Sequence, residues 1–173
     1  MDQTDTGLKA VIKALTDVVA PALDPNDPLA QEQLRLSVDY IAFVRQRIDY
    51  LHGRERFDLL HYVKIARSMQ EAGVPADCSE GVFLERALAP AEVLAESPAA
   101  LTHELREAAM ELAHAVAAVV RSASGLPADV ARKVRHIVMD ATEEKLEFER
   151  LWYVPIGFEA PPATGKTLEG FLK

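Results

Sequence analysis

The sequence predicts an all-α protein: an antiparallel helical bundle with a four-helix core, two accessory helical elements and an extended C-terminal tail. Three observations predict it. Apolar residues recur at three- and four-residue steps over most of the chain, Pro and Gly punctuate the joints between these stretches, and no run alternates apolar and polar residues between hairpin turns. The periodic region, residues 1–153, reads as one domain, and residues 154–173 as the tail.

The first helix begins at Thr4 or Asp5, carries Leu8, Val11, Ile12, Leu15, Val18 and Val19 on one face, and stops at Pro21. A proline-rich loop follows, with Asp27 placed to cap a helix that Pro28 opens. This second helix is expected to reach His52 and to end at Gly53. Its Leu34, Ile41 and Ile48 fall seven apart, as do Ser37, Val44 and Leu51, the repeat of a long bundle helix. The hydroxyl of Ser37 can bond the carbonyl four residues back. A third helix, Arg56 to Ala72, turns Leu59, Tyr62, Val63, Ile65, Ala66 and Met69 inward and ends at Gly73.

Asp77 and Glu80 have the spacing of a capping box for a fourth element, Ser79 to Glu96, which Pro90 is expected to break into two short helices. The centre of the bundle is the stretch Ser97 to Gly125. Ser97 is a natural N-cap, Pro98 suits the first helical position, and Leu101, Leu105, Leu112, Val116 and Val119 make one apolar stripe. Ala113, Ala117 and Ala118 beside it are small enough for neighbouring helices to approach closely. Pro127 opens the sixth helix, which reaches Trp152 with Val130, Val134, Ile137, Ala141, Phe148 and Leu151 facing in. Past Val154 the periodicity is lost, and Phe158 and Phe171 are the side chains available to pin the tail.

Composition narrows the function classes. The 173 residues carry a net charge of −8 and a pI near 5.1, which disfavours nucleic acid and anionic membranes as partners. A single cysteine, Cys78, allows neither an intrachain disulfide nor a cysteine zinc cluster, and a reducing cytoplasm is the expected setting. Asp2 and Asp5 stand where a secretory signal would carry positive charge.

Candidate chemistry is sparse. The carboxylate-x-x-histidine spacing, which puts two metal ligands on one side of a helix, occurs at Asp49/His52, Asp58/His61 and Glu111/His114. Glu107, Glu111 and His114 are the candidate metal ligands, although the periodicity puts Glu104, Glu107, Glu111 and His114 on the polar side of the central helix. Glu144 lies in the apolar seam of the sixth helix between Ala141 and Phe148, where a carboxylate must find a partner. With Tyr62, Trp152 and the arginines Arg45, Arg54 and Arg56, it makes the candidate ligand-binding set.

Arg45, Arg47, Arg54 and Arg56 cluster around one turn and can hold an anion or pair with Asp49, Glu55 and the acidic sixth helix. Arg132, Lys133, Arg135 and His136 precede the acidic half of the sixth helix, an asymmetry that suits antiparallel self-association. The APPATGKT stretch, Ala160 to Thr167, matches a loose phosphate-loop pattern without the strand and helix that the chemistry requires. No nucleophile elbow occurs.

The expectation is a non-enzymatic, cofactor-free protein that acts as a homo-oligomer or with another protein. A small-ligand-binding bundle is the alternative, followed by a carboxylate/histidine metal enzyme.

Overall fold

The computed structural model describes residues 3–157 and 165–172. It is 85% helical, and the described residues contain no strand and no helix long and apolar enough to cross a membrane. Six helices and a short seventh carry the described residues. Helix α1 runs Gln3–Ala14 and continues through a π-turn at Leu15–Val19 into a last turn, Ala20–Ala22, which takes in Pro21. Helix α2 is Pro28–Arg47. The Asp27 carboxylate accepts from the Ala30 N–H at 3.0 Å, the cap that the sequence predicts, and the Ser37 hydroxyl donates to the Gln33 carbonyl at 2.8 Å.

Besides Pro21, which the first helix runs past by one residue, three helix boundaries differ from expectation. The chain breaks at a 3-10 turn, Ile48–Tyr50, and α3 runs Leu51–Glu71, so Gly53 lies inside a helix. There it lies beside Leu172, whose Cδ2 would be in ordinary contact with an added Cβ at 3.4 Å. Helix α4, Ser79–Glu96, continues through Pro90 because the proline ring is on the exposed side, while Leu84, Ala87, Leu88, Ala91 and Ala95 are held in the core. Helix α5 starts at Thr102, not near Ser97: Glu104 accepts from the Leu101 N–H at 2.8 Å, and the Ser97 carbonyl instead accepts from Arg56 at 2.8 Å. Helix α5 ends at Ser122, α6 is Ala128–Tyr153 and α7 is Leu168–Phe171.

The turn between α3 and α4 is specified in detail. Gly73 takes φ +95°, a left-handed conformation suited to glycine, while the Val74 N–H closes on the Met69 carbonyl. The cap of α4 is Cys78, in place of the Asp77/Glu80 box: its Sγ accepts from the Gly81 N–H at 3.3 Å and donates to the Pro75 carbonyl at 3.1 Å. At Gly81 a Cβ would stand 1.9 Å from that carbonyl oxygen, so only glycine fits.

The chain divides into two compact units, Met1–Asp49 with Trp152–Pro161, and Tyr50–Leu151 with Pro162–Lys173. In the first, α1 packs on α2 and the turn Val154–Ile156 lies against α2. Trp152 is buried there, edge-on to Phe43 with the Arg47 guanidinium over its ring. In the second unit α5 lies along both α3 and α4, and one apolar cluster joins α3, α4, α5 and α6. Leu59, Met69, Leu84, Leu105, Leu112 and Val119 are completely covered, each contributing about 2 kcal/mol by removal from water. The core thus includes the proline-containing α4 and not α2. The heptad seam of α2 is only half-buried, whereas α4 offers small and apolar residues at helical spacing.

Residues 165–172 return to the second unit. Phe171 meets the rings of Phe57 and Phe148 edge-on, Leu168 is buried and the Tyr50 hydroxyl donates to Glu169 at 3.1 Å. The tail is therefore not extended throughout. Phe158 and residues 160–164 of the phosphate-loop-like stretch lie outside the described residues.

Candidate functional site

Within the second unit, α3, α6 and the C-terminal segment enclose an open cleft of about 730 Å³, within the size range of small-molecule sites. Helical spacing builds it. Phe57, His61 and Lys64 follow one another at four- and three-residue steps along α3, and Asp140, Glu143, Glu144 and Glu147 do the same along α6. The third wall is Lys166, Thr167, Gly170 and Phe171.

The floor is aromatic. Phe57 stacks on Phe148 with centroids 4.0 Å apart, and the His61 ring stacks 6.1 Å from Phe57 and meets Tyr62 edge-on at 5.4 Å. Behind it, Lys145 pairs with Asp58 and with Glu149 at 2.9 Å, and lies over the rings of Phe57 and Phe148 at 5.6 and 5.3 Å. Arg54 closes this chain of charges on Glu149 at 3.0 Å. Such a half-buried, mutually paired group fixes the rings from below. On the rim, Glu144 pairs with Lys64 at 2.8 Å and Glu147 with Lys166. Asp140 and Glu143 make no ion pair among the described residues.

His61 is the anomaly. It is 8% exposed, and its Nδ1 is the one buried side-chain nitrogen or oxygen among the described residues without a hydrogen-bond partner. Burial, followed by the Lys145 ammonium, pushes its imidazole below the ordinary value of 6.5, against the opposing influence of Glu144 and Asp58. The ring is therefore neutral near pH 7. Leaving such a nitrogen unpaired costs about 1–3 kcal/mol.

The sequence-predicted site residues do not converge. Glu144 does reach the cleft, on its rim and beside a lysine. Tyr62 lines a separate groove with Glu55, Arg106 and Met110. Trp152 is buried in the first unit. Each arginine of the cluster is engaged apart from the others: Arg45 with Asp5, Arg54 with Glu149, Arg56 with the carbonyls of Ala95 and Ser97, and Arg47 with the carbonyl of Trp152.

Glu107, Glu111 and His114 are exposed on α5, the two glutamates bordering a shallow groove opposite Pro90 and Leu94. No group of three or more His, Cys, Asp and Glu side chains among the described residues is arranged to hold a metal. A different buried carboxylate, Glu55, accepts from Nε and Nη2 of Arg106 at 3.0 and 2.7 Å.

In the sequence His61 stands out through its metal-ligand spacing from Asp58 and not as part of an aromatic floor. The signal for the floor was present: a histidine one turn from Phe57 and one residue before Tyr62, on the face that also carries Ile65. The contribution of Phe171 and Lys166 comes from some hundred residues further along and has no local signal. Comparison of the chain with family models, curated proteins and solved structures finds no match.

Proposed function

We propose that this chain is a non-enzymatic binding protein that holds a small molecule in the cleft between α3, α6 and the C-terminal segment. The observation that carries this reading is the open cleft itself, lined by the rings of Phe57, His61 and Phe171. The Nδ1 atom of His61 is covered by protein, so a ligand in the cleft meets the exposed edge of the ring and not this nitrogen. The chemistry that fits is an aromatic or other flat apolar body against Phe57 and Phe171, carrying one hydrogen-bonding group. Binding is favoured over catalysis because, among the described residues, no hydrogen bond joins Thr167 or His61 to a carboxylate of the cleft, and Glu144 and Glu147 are paired with lysines.

The test uses phenol as probe. Titration into the full chain is expected to shift the His61 imidazole NMR signals together with those of Phe57 and Phe171, saturably at millimolar concentration. His61→Phe is expected to weaken phenol binding at least fivefold while keeping the helical circular dichroism. Absence of any saturable shift at these rings, or unchanged phenol affinity in His61→Phe, overturns the reading.

A further inference from the structure

We propose that the solvent face of α6 is the docking surface for a second copy of this chain, packed antiparallel about a two-fold axis near Met139. The side of α6 opposite its buried residues Val130, Val134, Ala141 and Phe148 carries two blocks of opposite charge. Arg132, Arg135 and His136 come first, Asp140 and Glu143 follow, and all five are exposed. None of them forms an ion pair among the described residues, although the adjacent acids Glu144 and Glu147 are both paired.

Met139, 68% exposed, lies between the blocks, and Leu146, 54% exposed, follows the acids ahead of the exposed Arg150. Arg135 and Glu143 stand equally far from Met139, about 6 Å along the axis on either side at the usual helical rise. Turning one copy end over end therefore sets Met139 against Met139 and brings each Arg135 level with the Glu143 of the other, across the width of the contact, a span for long side chains to bridge. A face with this property is self-complementary, as a two-fold contact requires. Parallel packing would instead set like charges together.

One helix face is short of the roughly 1,200 Å² of a stable interface. The groove beside it adds apolar area: it measures about 480 Å³, and Val120, Ala123, Val134, Val138 and Met139 wall it at the end of α5. Exposed ion pairs fix orientation more than they add affinity, so the dimer is weak and salt-sensitive. Asp140 and Glu143 also line the cleft, so docking brings Arg135 of the second copy to its mouth.

Sedimentation of the full chain at several hundred micromolar and low salt is expected to give twice the 19.0 kDa chain mass, falling toward one chain mass as salt is raised. Two variants sharpen the test. Arg132→Glu with Arg135→Glu reverses the charge of the two arginines of the basic block, and Asp140→Lys with Glu143→Lys reverses the acidic block. Each alone is expected to stay monomeric with unchanged helicity, and an equimolar mixture is expected to recover the dimer mass. A monomeric parent chain, dimers that survive either reversal, or a mixture that stays monomeric each overturns the proposal. Phenol binding is read separately, so failure of one proposal does not carry the other with it.

Discussion

Helices α1 and α2 and helices α3 to α6 are equally regular, yet they are stabilised differently. From Gln3 to Asp49 one side chain, Phe43, is buried, and Val18, Leu29 and Tyr40 are more than 60% exposed. In the second unit one contiguous cluster draws on four helices, and its central residues have no exposure at all. Two helices form a single layer whose seam stays open along one side, so Leu15, Leu34 and Val38 border a groove instead of filling a core. Four helices close the seam. Amphipathic periodicity reports that a face wants cover, and the number of neighbouring helices decides whether it is covered.

The sharpest way to break this comparison is a matched pair of truncations. Leu112→Ala, at the fully covered centre of α5, is expected to lower stability by about 3–4 kcal/mol in urea denaturation through lost transfer energy and the cavity left behind. Leu34→Ala, on the half-buried seam of α2, is expected to lower it by about 1 kcal/mol. Equal losses would mean that the first unit shares a core as tight as the second.

Next in size is Gly81→Ala. The new methyl cannot coexist with the Pro75 carbonyl 1.9 Å away, so the turn joining α3 to α4 must shift, at about 3 kcal/mol. The change removes no contact, which separates tight fit from buried area as the origin of stability in the second unit.

The smallest expected effect concerns the one flaw in that unit. His61→Phe replaces an unsatisfied imidazole with an apolar ring and is expected to raise stability by about 1 kcal/mol at pH 7.5. Its pH dependence follows from the lowered value of the folded ring. Below 6.5 the unfolded chain takes up a proton that the folded chain refuses, so acidification favours unfolding until the buried ring itself protonates. Thermal melts from pH 7.5 to 5.5 are expected to show the gap between His61→Phe and the parent widening as the pH falls. A constant gap would mean that His61 titrates as it does in the unfolded chain.

Much of the fold was legible because its causes are local. The stripe Leu105, Leu112, Val116 and Val119 marks α5, Asp27 marks the start of α2 and Gly73 the end of α3, each through contacts within a few residues. The misplaced boundaries have tertiary causes. Gly53 stays helical under Leu172, Pro90 stays helical because one side of α4 is held in the core, and Ser97 gives its carbonyl to Arg56 from another helix. The cleft was harder still. Glu144 could be singled out as a carboxylate in an apolar seam, but Lys64 as its partner and Phe171 as its neighbour come from distant parts of the chain.

Order along the chain settles that it is helical, where its main apolar faces lie and how charge is distributed along α6, since periodicity, capping and charge order act over one or two turns. Which helices share a core, and which buried nitrogen goes unpaired, is fixed by packing, because it depends on what residues far apart along the chain bring to the same place.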